Sequence, residues 1–508
     1  MEFRLIHVLG PVVATVAMYF IGRNMVQKEK GREIRVAPTL ILFFSALAFH
    51  IFFTEGTFLD RVSIILLDFG IAMIIDSGYL AYHKVHPKVF WGLGMILVFT
   101  AAIMYLLSYL FGIIWRFDSE VSNSRNEVLV ELGTDDRIDE ISGILANYDA
   151  TWEAAYPMVT ASEDSDLSQT FLISVKDGKA TDLVNELLND KENVDFAEEN
   201  FDIGIEPIES ESETNSSGIF FANDPQITGQ WWMVPEEINA IHEILKDLRP
   251  AKKAKVAIVD TGVDSKHEDI SGVFRISPGS TDVHGHGTHC AGLSGASTNN
   301  GKGIASLNWE GKFIEVKGYH ALDTKGRGTT ETVAEAIIRA AEDDADVINL
   351  SLGGMSPFPP RSQVKAIEYA QSLGCIVIAA AGNNNGNARN HSPSNIEGVI
   401  SVAAVNPSGR KAEFSNINTG LARPIAAPGV DILSLKTGGG YVRMSGTSMA
   451  TPIVSGLVGM MRAINPDLSA GDAYRILNES GKPVEDSDKV GKVINCLAAI
   501  ELLMESGK

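Results

Sequence analysis

Three long stretches without a charged residue occupy most of the first 115 positions of the chain, at residues 5–22, 36–54 and 89–115. A helix needs about 20 mostly apolar residues to cross the ~30 Å hydrocarbon core of a bilayer. Residues 62–82 form a fourth candidate, which carries Asp68 and Asp76. The pattern predicts an all-α region of four transmembrane helices in residues 1–117, with the lipid bilayer as a partner. The alternative is that these stretches are buried helices of a soluble domain. This alternative is disfavoured because three such stretches lie in one block.

The basic residues between these stretches predict which way the helices face. Between the first and second stretch lie Arg23, Lys28, Lys30, Arg32 and Arg35. Loops rich in Lys and Arg stay in the cytoplasm, so the N-terminus and everything after residue 115 are predicted to face the extracytoplasmic side. A cleaved signal peptide is the alternative for the first stretch, but its flanking charge is reversed and no small-residue cleavage site follows. Structural roles are favoured over functional ones for both carboxylates, with Asp68 pairing within the bundle and Asp76 lying at the membrane interface.

The next segment, residues 118–206, changes to a mixed pattern of short elements. Strand patterns cover residues 126–132, 170–175, 194–197 and 201–205, and helical spacing covers residues 135–147 and 180–188. The order is close to β-α-β-β-α-β, which predicts a ferredoxin-like α+β domain. Residues 206–218 are rich in Glu and Ser without periodic apolar residues. We therefore predict an acidic, exposed linker at residues 207–221, where processing cuts would fall.

Residues 222–508 carry the pattern of a doubly wound parallel α/β sheet. The apolar run Val256-Ala-Ile-Val259 indicates a strand buried on both faces, and residues 347–350, 376–379 and 399–402 repeat it. Amphipathic helices are predicted between these strands, at residues 331–342 and 364–373. The first strand ends at Asp260, and functional groups gather at such strand ends.

Two further motifs contain residue types used in nucleophilic catalysis. Residues 284–292 read His-Gly-His-Gly-Thr-His-Cys-Ala-Gly, and residues 445–452 read Ser-Gly-Thr-Ser-Met-Ala-Thr-Pro. After Ser448 the chain is apolar nearly all round to Ile464, as in a central buried helix, and Pro452 falls in its first turn. Ser448 is therefore predicted at a helix N-terminus, where backbone N–H groups favour a developing oxyanion.

Together these motifs resemble the active-site blocks of the subtilases, the subtilisin-like serine proteases. The matching blocks are Asp260-Thr-Gly, His286-Gly-Thr-His, Ala379-Ala-Ala-Gly-Asn383 and Gly446-Thr-Ser-Met-Ala-Thr-Pro, and the likeness runs from about residue 223 to 503. Cys290 directly after the His block is similar to the proteinase K-like branch, in which such a thiol packs beneath the catalytic imidazole. With three cysteines, Cys290, Cys375 and Cys496, no disulfide framework is expected.

The resemblance implies a role for each block. Ser448 would be the nucleophile, His286 the base that takes its proton, and Asp260 the carboxylate that orients the imidazole. Asn383 and the Ser448 N–H would hold the oxyanion. A zinc site formed by His284, His286 and His289 is possible by spacing, but it would leave the Ser and Asn blocks unexplained.

The resemblance also implies where peptide substrates bind. Two edges would flank the peptide, one formed by Gly326, Arg327 and Gly328 and the other by Ser351, Leu352, Gly353 and Gly354. The primary specificity pocket would be walled by residues 352–354 and by Ala380, Ala381 and Gly382, which leave space for a large side chain. Its floor would lie within residues 387–393, where Arg389 and His391 are unusual.

A structural Ca²⁺ is implied by residues that match oxygen ligands in many subtilases. These are Asp224, Asp269 and Asn300, and oxygen-only ligands suit Ca²⁺. Turn-forming roles are the alternative for each residue.

We therefore predict a membrane-anchored serine endopeptidase made as a zymogen, with the catalytic domain on the extracytoplasmic side. Residues 194–200 resemble the end of a subtilisin propeptide, so the chain's own propeptide is expected to inhibit it. The formal net charge of −22 argues against nucleic acid as a partner. One alternative is a catalytically silent subtilase-like receptor or scaffold, which is disfavoured because all three triad residues are present. Another alternative is a catalytic domain in the cytosol.

Overall fold

The computed structural model describes residues 124–506, apart from residues 135, 177, 206–207, 210–214 and 278. The described residues belong to one compact unit of the chain, residues 123–508. The four predicted transmembrane helices lie outside the described residues. Within the described ranges, no helix is both long enough and apolar enough to cross a bilayer.

The first part of the described chain, residues 124–205, is an α+β domain. Its strands are β1 (Ser124–Leu132), β2 (Thr151–Ala154), β3 (Thr170–Ser174) and β4 (Val194–Gly204), and its helices are α1 (Ser142–Asn147), α2 (Ser165–Ser168) and α3 (Ala180–Leu187). The strands are antiparallel in the order β4-β1-β3-β2, which is the ferredoxin-like arrangement. The two strand segments predicted between residues 194 and 205 are one continuous strand. The sequence pattern did not reveal β2, because all four of its residues are exposed.

The two faces of this sheet have different neighbours. On one face Val128 and Val130 pack with Leu183 and Leu187, which lie one turn apart on α3. On the other face Leu129 belongs to a cluster that continues into the α/β domain described next. Full burial of such an aliphatic side chain contributes roughly 1.5–3 kcal/mol. The α+β domain is therefore stabilised partly by its own core and partly by packing on its neighbour.

The second domain, residues 215–506, contains a six-stranded parallel sheet with helices on both faces. The sheet order is β16-β15-β13-β11-β6-β9. These strands are β6 (Ala254–Asp260), β9 (Ile314–His320), β11 (Val347–Leu350), β13 (Ile376–Ala380), β15 (Ile400–Val405) and β16 (Pro424–Pro428). The short strands are β7 (Ser297–Thr298), β8 (Asn308–Trp309), β10 (Arg327–Thr329), β12 (Gly354–Met355), β14 (His391–Ser392), β17 (Ile432–Leu435) and β18 (Tyr441–Ser445), and β5 (Ile208–Glu209) precedes the domain. The predicted parallel α/β sheet is confirmed.

The helices of this domain are α4 (Pro235–Asp247), α5 (His286–Gly295), α6 (Thr330–Glu342), α7 (Arg361–Ser372), α8 (Thr447–Ile464), α9 (Ala470–Ser480), α10 (Ser487–Val490) and α11 (Cys496–Ser506). Val256 and Ile258 of β6 face a core that includes α5 and α8, whereas Ala257 and Val259 face a core that includes α6 and α7. Because both faces of β6 are covered, its sequence is apolar at every position from 256 to 259. Every residue of α5 is buried, and α8 is buried from Thr447 to Ala463.

The predicted linker is not wholly without regular structure. Ile208 and Glu209 form β5, which pairs with β18 so that Ile208 lies opposite Ser445 and Glu209 opposite Met444. A two-residue strand has too few positions to show a period, so the composition of the segment could not predict it.

Candidate active site

Asp260 and His286 form a buried pair at the carboxyl end of the sheet. Asp260 is the last residue of β6, and His286 is the first residue of α5. His286 Nδ1 lies 2.8 Å from Asp260 Oδ1 and 2.9 Å from Oδ2, and both side chains are inaccessible to solvent. Gly285, just before the helix, has φ 96°, a conformation that residues with a Cβ rarely adopt. Burial alone would lower the pKa of His286, but the Asp260 carboxylate outweighs it and the net pKa is raised.

Ser448 lies in the first turn of α8, close to the same pair. Its Oγ donates to the Ser351 carbonyl oxygen at 3.0 Å, and Ser351 Oγ donates to the Ser448 carbonyl oxygen at 2.9 Å. His286 Nε2 is buried and has no hydrogen-bond partner among the described residues. In this state the Ser448 hydroxyl is therefore turned toward Ser351, while the free imidazole nitrogen is unoccupied by any described group.

Cys290 connects the two halves of this cluster. Its Sγ is 3.9 Å from His286 Nδ1 and donates to the Ser448 carbonyl oxygen at 3.4 Å. The thiol is fully buried, and burial raises its pKa. Cys290 therefore packs against the imidazole as a neutral thiol, which is the position that the resemblance implied.

The structure does not assemble the alternative zinc site. His289 Nε2 lies 3.0 Å from the Ile432 carbonyl oxygen and 3.2 Å from that of Val442, so this nitrogen carries a hydrogen and cannot be a ligand. Burial lowers the pKa of His289 to about 3. In the described part of the chain, the group of His, Cys and acidic residues close enough to share an ion is Asp260, His286 and Cys290, without His284 or His289.

Asn383 is held with its amide next to the start of α8. It follows β13, and its Oδ1 accepts from the Thr447 N–H and the Thr447 hydroxyl, both at 2.9 Å. Because the oxygen accepts from Thr447, the Nδ2 group of Asn383 can donate to a ligand beside Gly446. A Cβ added to Gly446 would lie 3.4 Å from this nitrogen. The amide and the N-terminus of α8 thus present donors to one small region.

The two predicted peptide-binding edges enclose a segment of the chain itself. β4 pairs antiparallel with β10, matching Gly204 with Arg327 and Ile203 with Gly328. On the opposite side, Gly204 bridges Gly353, again antiparallel. The Ile205 N–H then donates to the Gly326 carbonyl oxygen at 3.2 Å. Residues 202–205 therefore lie in extended form between the edges that were predicted for a bound peptide.

The walls of the predicted specificity pocket follow two neighbouring strands of the sheet, β11 and β13. Leu352, Gly353 and Gly354 follow β11, and Ala380, Ala381 and Gly382 end or follow β13. The His391 ring lies against both walls, since a Cβ added to Gly353 or to Gly382 would overlap it. Arg389 points elsewhere and donates to the Gly420 carbonyl oxygen at 3.0 Å. The His391 ring therefore packs against both walls, and the space for a large side chain between them stays a prediction.

The three predicted calcium ligands lie close together. Asp224 and Asp269 are buried, and Asn300 Nδ2 donates to Asp269 Oδ1 at 2.8 Å. Asp224 Oδ2 accepts from the Asn299 N–H at 2.8 Å. Burial raises the pKa of Asp224 to about 6 and that of Asp269 to about 7, the latter also because Asp224 is near. The two buried carboxylates fit a Ca²⁺ site, since the ion would offset the cost of burying their charges. Asn300 could be a ligand only with its amide turned over, because its Oδ1 accepts from the Lys302 N–H in this structure.

Sequence reasoning missed the groups by which the α+β domain docks on two helix N-termini. The Glu198 carboxylate accepts from the Arg361 N–H at 2.8 Å and the Ser362 N–H at 3.0 Å, at the start of α7. Asn200 Oδ1 accepts from the Thr330 hydroxyl at 2.9 Å and the Glu331 N–H at 3.1 Å, at the start of α6. Such contacts satisfy N–H groups that a helix leaves without partners. Both docking residues lie within residues 194–200, the segment whose sequence resembles the end of a subtilisin propeptide.

Comparisons with known proteins agree with this fold and these blocks. A sequence model of the subtilase family matches residues 251–489. The chain is 42% identical over 216 residues to a thermophilic serine proteinase of Bacillus sp. (strain AK1), covering 41% of this chain and 51% of that protein. It is 39% identical over 246 residues to thermitase of Thermoactinomyces vulgaris, covering 47% of this chain and 84% of that protein.

One solved structure shows the same likeness in three dimensions. A protease from Pseudoalteromonas arctica PAMC 21717 superposes with a TM-score of 0.50 at 27% identity, over 56% of this chain and 99% of that one. The fold and these relatives define the class as a serine endopeptidase. The chain belongs to the subtilase family.

Proposed function

We propose that this chain is a membrane-anchored, subtilisin-like serine endopeptidase that is made as a zymogen and hydrolyses peptide bonds with Asp260, His286 and Ser448. The observation that carries the proposal is the Asp260–His286 pair beside Ser448, at the end of a cleft whose edges hold an extended peptide segment. A serine-directed organophosphorus reagent should label the wild-type protein once its cleft is open, and Ser448→Ala should abolish the labelling. Equal labelling of both proteins would refute the assignment.

The triad would work through one rotation of the Ser448 side chain. Its Oγ turns from the Ser351 carbonyl toward His286 Nε2, which takes the hydroxyl proton as Oγ attacks the substrate carbonyl. Asp260 keeps the hydrogen on Nδ1 and stabilises the imidazolium, which then protonates the leaving nitrogen. A water molecule hydrolyses the acyl-enzyme with the proton transfers repeated in the same order.

Asn383 and the Ser448 N–H would stabilise the negative charge that develops on the carbonyl oxygen. Thr447 holds the Asn383 oxygen, so the Nδ2 donor is already oriented before substrate arrives. Loss of one such donor typically costs about 3 kcal/mol in the transition state.

The α+β domain would act as the inhibitory propeptide. Residues 202–205 occupy the edges that a substrate needs, so a substrate and this segment cannot bind together. The docked position is supported by Glu198 and Asn200 at the starts of α7 and α6, and by Arg361, whose Nε and Nη2 lie 3.1 and 3.2 Å from the two Glu131 oxygens. Hydrogen bonds that involve a charged group contribute about 1.5–3 kcal/mol each when well formed.

The membrane anchor and its orientation are proposed from the sequence of residues 1–117. Its uncharged stretches have the length of transmembrane helices, and the loop with five basic residues sets the predicted topology. The catalytic domain would then face the extracytoplasmic side.

We further propose a structural Ca²⁺ held by Asp224, Asp269 and Asn300. The ion would join the segment after the linker to the loops around residues 269 and 300, and it would take no part in the chemical steps.

A further inference from the structure

His391 lies directly beside the wall of the primary specificity pocket. It belongs to β14, which pairs antiparallel with β12 so that His391 lies opposite Met355 and Ser392 opposite Gly354. A Cβ added to Gly353 would overlap the His391 ring and lie 3.0 Å from its Nδ1. A Cβ added to Gly382, on the other wall, would lie 2.5 Å from the ring Cδ2 and 2.7 Å from Nε2. The imidazole therefore lies between the two glycine-containing walls.

The ring places a polar group without a described partner beside these walls. His391 is only 7% exposed, and its Nδ1 has no hydrogen-bond partner within the described ranges. Burial lowers its pKa to about 4, so the ring is neutral at pH 7. A neutral imidazole has one N–H donor and one acceptor nitrogen. Such a group is unfavourable when it is buried and unpaired, and a suitable ligand could recover that energy.

The walls and the ring together decide which side chain can recover that energy. A large aromatic side chain would meet the ring between the walls and leave the nitrogen unpaired. A shorter side chain that ends in a carboxylate can enter beside the ring and accept its hydrogen bond, and its charge then also favours the protonated imidazole. We propose that His391 sets the specificity of this pocket and selects peptides with glutamate immediately before the scissile bond.

This inference rests on the proposed peptidase function, and one set of assays separates the two. Four peptides that differ only in the residue before the scissile bond, with Glu, Gln, Leu or Phe, are given to the protein after its cleft has been opened by limited proteolysis. The wild type should cleave the Glu peptide with kcat/KM at least about tenfold above the Phe peptide. His391→Gly should reverse this order, and Arg389→Ala is the matched control that should keep it.

A second variant keeps the test decisive if His391→Gly does not fold. His391→Leu retains bulk without a ring nitrogen, and it should lose the Glu preference without gaining the Phe peptide. A wild type that prefers Phe, or a Glu preference that survives in a folded His391 variant, overturns the inference while leaving the peptidase function intact. Failure of the wild type to cleave any of the four peptides and casein overturns the proposed function, and the inference with it.

Discussion

The backbone N–H of Gly353 donates to the carbonyl oxygen of Gly204 at 3.2 Å, although the two glycines belong to different domains of the chain. Gly353 lies on a predicted peptide-binding edge, and Gly204 ends the last strand of the α+β domain. Because main-chain hydrogen bonds of this kind do not depend on side chains, the same edge can hold either this segment or a substrate. Competition between the two is the physical basis of the proposed inhibition.

Glu198 offers a direct test of this inhibition. Glu198→Ala removes the carboxylate that accepts from two N–H groups of α7, so docking of the α+β domain should weaken by about 1–3 kcal/mol. The uncut full-length protein should then cleave peptides measurably faster than the wild type. Asp195→Ala is the matched control, because Asp195 lies on the same strand with an exposed side chain. Equal rates for all three proteins would contradict the docking role of Glu198.

Calcium should stabilise the protein through Asp224 and Asp269. Removal of calcium by a chelator should lower the melting temperature, and Asp269→Ala should abolish that sensitivity, while the exposed Glu397→Ala should keep it. If the wild type has the same melting temperature with and without the chelator at pH 8, the calcium site is refuted.

The calcium effect should also depend on pH in a definite direction. Without the ion, the raised pKa values mean that the folded state binds protons more tightly than the unfolded state. The ion-free protein should therefore lose stability as the pH rises from about 4, the unfolded value, to about 7. Calcium competes with those protons, so the difference in melting temperature with and without chelator should be larger at pH 8 than at pH 5.

Cys290 should be dispensable for catalysis and yet be the point of attack for mercurials. The thiol packs against His286 and burial raises its pKa, so Cys290→Ala should retain activity within about tenfold of the wild type. A bulky mercury adduct would displace the imidazole and inhibit. Activity measured with an organomercurial should fall in the wild type and in Cys496→Ala, but not in Cys290→Ala. Inhibition of Cys290→Ala would place the sensitive thiol elsewhere.

The proposed membrane anchor predicts in which cell fraction the protein is found and on which side of the membrane its catalytic domain lies. Full-length protein should be recovered in the membrane fraction and released only by detergent, whereas a chain beginning at residue 118 should not be. A reporter enzyme active only outside the cytoplasm, fused after residue 508, should be active. An inactive reporter at normal expression would contradict the topology read from the basic loop.

Whether a strand could be predicted from the sequence depends on how that strand is buried. β6, β11, β13 and β15 are covered on both faces, so short segments rich in Val, Ile and Ala mark them. β9 carries Glu315 and Lys317 at the edge of the sheet, and β16 is bounded by Pro424 and Pro428, so neither shows that pattern. The site blocks were recognisable because local spacing defines them.

Contacts between segments far apart in the chain were not predictable in the same way. Glu198 and Arg361 are 163 positions apart, and nothing in either local pattern shows that one meets the other. His391 was noted as unusual, but its position between Gly353 and Gly382 depends on how β12 and β14 pair. The position of this ring beside both walls therefore became visible only in the folded chain.

The most direct test of the central claim is peptidase activity of the wild type against its Ser448→Ala form, with the cleft of both opened by the same limited proteolysis. The triad acts as a unit, so Ser448→Ala and His286→Ala should each lower kcat/KM for a peptide or for casein by at least about a thousandfold, with circular dichroism showing an intact fold. Near-wild-type turnover by folded Ser448→Ala would contradict the serine mechanism.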